Sequence, residues 1–402
     1  MSGPYQLDPE RHEAIYAGQI AARYMPKSRP QEHPCAVITG GQPGSGKSGI
    51  TALAIERFRA SGYVLVDADK MRPYHPDYQK LMRADDRTAA NLTHPDCGPW
   101  STRLLRDGAA GRRNLIIDQT SRDPAALARM AQALRQVGYR VELHVMAVSP
   151  AASQLRIHQR YEGQRGQDGF GRFSTKDKHD EAFAGVAETV AAVETGRQVD
   201  RLCLYDHNVE PIYDNQLEQG QWRQPPRARQ ALDAERARPM TLAESLQLAL
   251  DYGRLVGQLN SPRRNATQAE KAAMQACYAQ AQAQARGIAP SLPQELLDSL
   301  AIHAALPHLS VVAGGLQALR AAGQGHALAD VQRETLRGAF PDALIERHSD
   351  RFSRLGELAY IHLTQQQAVS ERQSPNLSAS DRTRAADQPA SRSERSPGEP
   401  DL

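Results

Sequence analysis

The sequence is poor in aromatic residues and shows no marked excess of charge of either sign. Aromatic residues make up 5% of the 402 residues, but 40% are hydrophobic, so the chain can bury a core without many large rings. The 49 lysines and arginines nearly balance the 46 aspartates and glutamates, which leaves a net charge of +3. A protein that coats nucleic acid shows a strong basic excess, so we expect no nucleic-acid partner.

Signals for membranes, secretion and disulfides are also missing. No apolar stretch reaches the roughly 20 residues that a transmembrane helix needs, so we expect no membrane partner. Residues 1–11 carry prolines and acids where a signal peptide has a basic segment and an apolar run. The four cysteines are scattered, without the spacing of a zinc site or a disulfide framework. These absences predict a cytoplasmic protein with reduced thiols.

From residue 34 onward, apolar strands alternate with helical patterns. Strands are predicted at residues 35–39, 63–67, 115–118, 141–148 and 201–205. Helices are predicted at residues 5–24, 48–59, 101–110, 124–137, 150–162 and 176–195. In the second of these helices, the residues expected to share one apolar face are Ile50, Leu53, Ala54 and Phe58. Strands that alternate with helices predict an α/β fold with a parallel sheet covered by helices on both faces.

After the last predicted strand the composition changes, and only helices are expected. Gln, Arg and Pro rise at residues 216–239, and capping-box spacing follows at Thr241 with Glu244 and at Thr267 with Glu270. Residues 366–402 hold almost nothing apolar and cannot bury enough surface to offset the entropy of ordering. We therefore predict four parts: an N-terminal helical lead-in (1–33), an α/β domain (34–225), an α-helical region of unknown role (226–365) and a disordered tail (366–402).

Residues 41–48, GQPGSGKS, match the phosphate-binding pattern G-x-x-x-x-G-K-[ST]. The residues expected to surround the phosphates are Gly41, Gln42, Pro43, Gly44, Ser45, Gly46, Lys47 and Ser48. Glycines let backbone N–H groups turn toward the phosphates, and the positive end of the following helix points at them. Lys47 would bring its charge to the β- and γ-phosphates, and the Ser48 hydroxyl would bind Mg²⁺. ATP and Mg²⁺ are the expected cofactors, but the pattern does not identify the reaction, because ATPases, GTPases and kinases share it.

Acidic residues follow two of the predicted strands. Asp67 ends the strand at residues 63–67, and Asp69 follows it two residues later. Asp118 ends the strand at residues 115–118. The carboxyl ends of parallel strands meet at one edge of a sheet, the same edge that carries the phosphate-binding loop. A kinase needs one acid there to take a proton from the acceptor hydroxyl and another to hold Mg²⁺. The spacing does not decide between Asp67 and Asp69 as the base.

Several runs taken in order resemble the zeta-toxin family. These runs are GGQPGSGKS, VLVDADK with the following His75-Pro76, LIIDQTSR, VMAV and the later Arg160-Tyr161-Glu162. The resemblance covers residues 34–215 and implies a P-loop kinase-like parallel sheet. It also implies an ATP-dependent kinase that phosphorylates a sugar hydroxyl of UDP-N-acetylglucosamine and so blocks cell-wall synthesis. The implied partners are the UDP-sugar substrate and an antitoxin protein that covers the site.

The resemblance assigns roles to single residues. The family's general base falls on Asp69, which would also contact the substrate. Asp118 stands where the family has a glutamate, so we expect it at the Mg²⁺ and at the substrate. His75, Thr120 and Arg122 fall in the runs expected to bind the substrate.

One family glutamate has no match in this sequence. The ungapped position is Thr102, and the nearby acids are Asp96 and Asp107. This departure bears on the identity of the acceptor more than on the kinase reaction.

Residues 163–172 contain four glycines and predict a flexible loop that closes over the nucleotide. Arginines beside such a loop can neutralise the charge that spreads over the γ-phosphate in the transition state. By the resemblance, Arg160 and Arg172 take this catalytic role together with Lys47 and Asp69. Arg165 is the reserve candidate.

Two other functions are compatible with the sequence. One is a P-loop kinase of a different acceptor, such as a nucleotide, a nucleic-acid end or another sugar. The other is an interaction module in which the helical region acts and the phosphate-binding loop serves as a nucleotide-controlled switch.

Overall fold

The computed structural model describes residues 5–288. These residues belong to one compact unit. The helices predicted after residue 288 and the tail predicted at residues 366–402 lie outside the described residues. None of the helices between residues 5 and 288 combines the length and apolar composition that crossing a membrane requires.

The described chain contains helices and strands in alternation as far as residue 222. The α-helices are α1 (Pro9–Ile15), α2 (Ala22–Tyr24), α3 (Lys47–Arg57), α4 (Ala68–Met71), α5 (Tyr78–Ala84), α6 (Ala89–Leu92), α7 (His94–Ala110), α8 (Pro124–Gln136), α9 (Pro150–Asp168), α10 (Lys176–Gly196), α11 (Ala228–Ala237), α12 (Leu242–Asn260) and α13 (Gln268–Ile288). A π-helical turn (Tyr16–Ala21) joins α1 to α2, and a 3₁₀ turn (Arg72–Tyr74) follows α4. The strands are β1 (Cys35–Gly40), β2 (Val64–Val66), β3 (Leu115–Ile117), β4 (Arg140–Met146), β5 (Arg201–Tyr205), β6 (Pro211–Glu218) and β7 (Gln221–Trp222).

The strands form one sheet in the order β2-β3-β1-β4-β5-β6-β7. The first five strands of that order are parallel, which confirms the α/β fold predicted from the alternation. Strands β6 and β7 are antiparallel, and the sequence analysis missed both. Strand β6 carries Pro, Asp, Asn and Gln, which are uncommon in strands, and it lies toward the sheet edge where burial imposes little apolar pattern.

Both faces of the sheet are covered, so β1 buries every one of its residues. On one face, Ala36 and Ile38 pack in the main core with side chains of α7, α8 and α10. On the other face, Cys35 and Val37 pack against Ala54 of α3 and against Phe58, which directly follows α3. Leu53 was predicted to lie on the apolar face of this helix, and that prediction is wrong, since Leu53 is 49% exposed. The buried stripe is narrower and consists of Ile50, Ala54 and Phe58.

The flexible loop predicted at residues 163–172 is mostly helix. Helix α9 continues through Gly163 and Gly166 to Asp168 and ends at Gly169, which has φ +80°. A helical glycine costs only about 1 kcal/mol relative to alanine, and the buried Tyr161 fastens this part of α9 to its neighbours. The irregular part is confined to residues 169–175, which we call the arginine loop because it carries Arg172.

Helices α12 and α13 pack against each other, and we call them, with residues 261–267 between them, the helical hairpin. The capping interactions predicted at their starts are present, since Thr241 pairs with Glu244 and Thr267 with Glu270. Their apolar faces share one cluster with Leu155 of α9. The helical hairpin therefore belongs to the same compact unit as the sheet.

Candidate functional site

The strand registers bring the acidic strand ends together. Ile38 of β1 and Val66 of β2 both align with Ile117 of the strand between them. The residues that follow these three positions are Thr39, Asp67 and Asp118, and they stand side by side at the carboxyl edge of the sheet. Parallel register alone produces this arrangement, as the sequence analysis predicted.

The phosphate-binding loop connects β1 to α3 at this same edge. Gly44 has φ +78°, and a Cβ there would lie 2.0 Å from the carbonyl oxygen of Ser153, so only glycine fits. The Gly41 N–H donates to the carbonyl of Thr120 at 3.0 Å, which ties the start of the loop to the segment after β3. The Ser45 hydroxyl is buried and makes no hydrogen bond within the described residues. A buried hydroxyl without a partner inside this loop fits a site that receives phosphate oxygens.

The Gln42 side chain has a structural role that the loop pattern does not predict. Its side chain is fully buried and donates to the carbonyl of Val148 at 2.8 Å and to Ser153 Oγ at 3.2 Å. Its Oε1 accepts from Arg236 of α11 at 3.2 Å. The side chain thus anchors the loop from behind. The sequence pattern does not reveal this anchor, because the position is unrestricted in the motif.

Lys47 lies at the first turn of α3 with its ammonium group over the loop. Its Nζ donates to the carbonyl oxygens of Gly41 at 2.8 Å and Gln42 at 3.3 Å. Burial lowers the pKa of Lys47 to about 8, and the charge of Asp118 opposes this effect. The negative charge of a phosphate bound beside Lys47 would raise this pKa again.

Asp118 and Ser48 are the residues predicted from the sequence to hold Mg²⁺. Asp118 accepts from Thr51 Oγ1 at 3.1 Å and from Thr39 Oγ1 at 3.3 Å, while Ser48 is exposed at the first turn of α3. Within residues 5–288, no group of three or more His, Cys, Asp and Glu side chains could hold a metal on its own. Mg²⁺ in phosphate-transfer sites takes only one or two protein ligands beside phosphate and water oxygens, so a hydroxyl and one carboxylate fit it.

The two candidate bases differ in environment. Asp67 caps α4 by accepting the Asp69 N–H at 2.8 Å, and burial, together with the charge of Asp118, raises its pKa to about 6. Asp69 forms ion pairs with Arg72, at 3.1 Å, and with Arg172 of the arginine loop. The cleft therefore holds one carboxylate with a raised pKa, Asp67, and one that is paired with two guanidinium groups, Asp69.

Two of the three candidate arginines face the cleft. Burial lowers the pKa of both Arg160 and Arg172, and their charges help to lower the pKa of Lys47. Arg160 donates to Ser174 Oγ at 3.3 Å. Arg165, the reserve candidate, instead pairs with Asp86 at 2.6 Å.

The predicted substrate residues are spread over three environments. The His75 side chain is fully buried and pairs with Asp96 at 3.3 Å, so it supports the backbone rather than facing an open cleft. Arg122 is half-exposed and pairs with Glu181 at 3.4 Å. Thr120 contacts the phosphate-binding loop through its carbonyl. Its neighbour Ser121 has φ +54° and donates to the Thr39 carbonyl at 2.7 Å, which is local strain of the kind found at functional sites.

None of the three residues considered for the unmatched family glutamate presents a free carboxylate to the cleft. Asp96 is buried, pairs with His75 and accepts the backbone N–H of Leu7. Asp107 accepts a hydrogen bond from Tyr16. Thr102 is exposed and donates to the Gly98 carbonyl at 3.1 Å.

Comparisons with known proteins place residues 21–218 beside one family of toxins. A family model described as "Zeta toxin" matches residues 21–218. Toxin PezT of Streptococcus pneumoniae serotype 4 (strain ATCC BAA-334 / TIGR4) is 27% identical over 185 residues, which are 46% of this chain and 73% of that protein. Toxin zeta of Enterococcus hirae is 24% identical over 185 residues, 46% of this chain and 64% of that protein.

Among solved structures, a chain from the PezAT chromosomal toxin–antitoxin system of Streptococcus pneumoniae matches with a TM-score of 0.55. The match covers 64% of this chain and all of that chain at 21% identity. At this identity the likeness shows the fold alone.

Proposed function

This chain belongs to the zeta-toxin family through residues 21–218, and from that premise we propose that it is an ATP-dependent kinase of UDP-N-acetylglucosamine. The proposed reaction transfers the γ-phosphoryl group to a sugar hydroxyl and so blocks cell-wall synthesis. The observation that carries the proposal is the meeting of Lys47, the strand-end carboxylates and the two arginines Arg160 and Arg172 at one edge of the sheet. We place the activity in the cytoplasm, where ATP and UDP-sugars are available.

The loop and its neighbours fit ATP with Mg²⁺. Bound ATP would supply the phosphoryl group, and Mg²⁺ would neutralise charge on its β- and γ-oxygens. Backbone N–H groups of residues 44–48 and the Lys47 ammonium would hold the phosphates, while Ser48 and Asp118 would hold the metal. The carbonyl bonds that Lys47 makes at 2.8 and 3.3 Å would give way to phosphate contacts.

Asp69 is the proposed base for the acceptor hydroxyl. Its carboxylate pairs with the guanidinium groups of Arg72 and Arg172, and a carboxylate at this position can take a proton from the acceptor. Arg172 would turn from Asp69 toward the γ-phosphate when the nucleotide arrives, which leaves one carboxylate oxygen free for the acceptor. Arg160 would act beside it on the same phosphate charge.

The choice of UDP-N-acetylglucosamine rests on the family resemblance. Asp118 is shorter than the family's glutamate, and Thr102 stands where another glutamate is expected. A kinase of another nucleotide, sugar or nucleic-acid end is therefore the alternative that the experiment must separate.

The test is an acceptor panel with γ-labelled ATP and the full-length protein. Label in UDP-N-acetylglucosamine supports the proposal, whereas label only in an oligonucleotide or another sugar contradicts it. Lys47→Ala and Asp69→Ala should abolish both the transfer and the growth inhibition that the wild type causes in bacteria. Growth inhibition that persists in both variants would contradict a toxin that acts as a kinase.

We also propose an antitoxin partner, because the structural relative comes from a toxin–antitoxin system. Such a protein should relieve growth inhibition when the two are produced together. It should also compete with ATP for the purified toxin, since the partner implied by the family covers the site. Relief of toxicity without competition would place the partner elsewhere on the surface.

A further inference from the structure

Two side chains outside the cleft hold the start of the arginine loop. The Gly171 N–H donates to Asp86 Oδ2 at 3.0 Å, and the Arg172 N–H donates to Gln164 Oε1 at 2.8 Å. A Cβ on Gly171 would lie 2.4 Å from the Tyr161 carbonyl oxygen, so the loop also packs closely against α9. These contacts act on the backbone at Arg172 and therefore set the direction in which its side chain leaves toward Asp69.

Asp86 joins this loop to α9. The carboxylate is buried and also accepts from Tyr161 Oη at 3.0 Å and from Arg165 Nη1 at 2.6 Å. Tyr161 and Arg165 lie one helical turn apart, on the same helix as Arg160. The Asp86 carboxylate thus accepts hydrogen bonds from α9, which carries Arg160, and from the arginine loop, which carries Arg172. A shift of Asp86 would therefore displace both arginines.

The residue after Asp86 extends the connection to the helical hairpin. Arg87 Nη2 donates to Glu270 Oε1 of α13 at 3.0 Å. The Arg87 guanidinium also lies 4.9 Å from the ring centroid of Phe173, the residue after Arg172. Arg87 therefore contacts both the helical hairpin, at Glu270, and the arginine loop, at Phe173.

Arg264, between α12 and α13, completes the connection. It donates to both carboxylate oxygens of Glu162 on α9, at 2.7 and 3.0 Å, and to Glu270 Oε1 at 3.0 Å. The side chains of Arg264 and Glu162 are 12% and 7% exposed, so salt and water screen this pair far less than a surface pair.

We propose that the helical hairpin is a brace that positions Arg160 and Arg172 for phosphoryl transfer, with Arg264, Glu270 and Asp86 as its positioning residues. The inference rests on the proposed kinase function. It gives a role to the described part of a region for which the sequence indicated none.

A purely stabilising role for the hairpin would not require these contacts. The apolar cluster with Leu155 already attaches the hairpin to the first half of α9. The charged contacts lie farther along that helix, at Glu162, beside the arginines. This placement couples the hairpin to the cleft rather than only to the core.

The first test measures the loop without any acceptor. Hydrogen exchange of the peptide covering residues 169–175 is followed in the full-length wild type, Arg264→Gln and Asp86→Asn. We expect exchange to quicken about tenfold or more in both variants, because the anchors of the Gly171 and Arg172 amides loosen. Arg254→Gln is the matched control, since among residues 5–288 Arg254 forms an ion pair only within α12, with Asp251 at 2.9 Å.

The second test measures kcat and the affinity for ATP in the same proteins. A misplaced arginine should lower kcat between about tenfold and a hundredfold and leave ATP affinity within about twofold, because the phosphate-binding loop is untouched. Unchanged exchange in both variants overturns the brace, as does faster exchange with wild-type kcat. If the wild type phosphorylates no acceptor, the proposed function is wrong. In that case the hydrogen-exchange data alone test whether the helical hairpin positions the arginine loop.

Discussion

Arg172 of the arginine loop forms an ion pair with Asp69, the residue proposed to take the proton of the acceptor. The same guanidinium is proposed to neutralise the γ-phosphate, so it has two anionic partners on one side of the cleft. The pair is partly exposed, with side-chain exposures of 30% and 39%, and its contribution to stability is therefore small. In the proposed mechanism, the γ-phosphate of bound ATP draws Arg172 away from Asp69. Nucleotide binding therefore frees the Asp69 carboxylate to act as the base.

The first prediction concerns this pair in catalysis. Asp69→Ala and Arg172→Ala should each lower kcat by about a thousandfold or more, because each removes a group that acts in the transition state. The double variant should be little slower than the worse single variant, since residues that act as a unit are not additive. Steady-state kinetics measure this, with Arg129→Ala on the exposed side of α8 as the control. Fully multiplicative losses would show that the two residues act independently.

The second prediction concerns the proton on Lys47. Burial lowers its pKa to about 8, and triphosphate charge should raise it, so the complex binds more protons than the free protein near pH 8. Nucleotide affinity should therefore fall as the pH rises above about 8. Calorimetry at that pH in two buffers of different ionisation enthalpy measures the proton uptake directly. Lys47→Met should bind more weakly and take up fewer protons, and equal uptake in both proteins would assign the proton to another group.

The third prediction concerns Asp67 and the stability of the fold. Its pKa is raised from 3.8 to about 6, so the folded protein keeps a proton that the unfolded chain has already lost between these values. The wild type should lose stability as the pH rises through this window, whereas Asp67→Asn has no such titration. The variant should gain on the order of 1 kcal/mol relative to wild type between pH 4 and pH 7.

Urea unfolding at the two pH values tests this third prediction. Asp123→Asn makes the same exchange at the exposed N-cap of α8, where the side chain accepts the Ala126 N–H at 3.0 Å. It controls for the loss of a capping carboxylate. A difference between Asp67→Asn and wild type that stays constant with pH would contradict the raised pKa.

The fourth prediction concerns Glu142, which lies at the centre of a charged cluster on β4. Its fully buried carboxylate accepts from Arg57 at 2.7 Å, Arg140 at 2.8 Å and His144 at 3.1 Å. Burial acts to raise the pKa of Glu142, but the hydrogen bonds from His144 and Arg57 outweigh it and hold the pKa well below its usual range.

Glu142→Gln should lower the free energy of unfolding by roughly 2 kcal/mol, because several cations lose their common partner but remain partly solvated. Denaturant unfolding measures the loss. Glu188→Gln is the control, since its surface pair with Arg229 should contribute under about 1 kcal/mol. Equal losses in the two variants would mean that the buried cluster contributes no more than a surface pair.

The parts of the site that could be predicted from the sequence depend on neighbours in the chain. The phosphate-binding loop is eight consecutive residues, and its geometry follows from glycines at set positions and a helix that begins at Lys47. The approach of Asp67 to Asp118 follows from two apolar strands that end in acids, because parallel register aligns strand ends.

Other parts of the site depend on residues far apart in sequence. Asp86 and Gln42 carry no motif of their own, yet their side chains hold the arginine loop and the phosphate-binding loop. Four glycines suggested a flexible loop, but contacts of Tyr161 keep most of that segment helical. The second edge of the sheet was missed because β6 is too polar to stand out as a strand.

By itself, the sequence determined the parallel α/β order, the phosphate-binding loop and the acids at the strand ends, since local spacing and strand direction are enough to specify them. Only the tertiary structure decided which way each arginine faces, which carboxylate is protonated most easily and what the helical hairpin touches. Burial, charge pairing and side-chain packing act through space between residues as distant as Arg87 and Glu270, and no spacing along the chain encodes them.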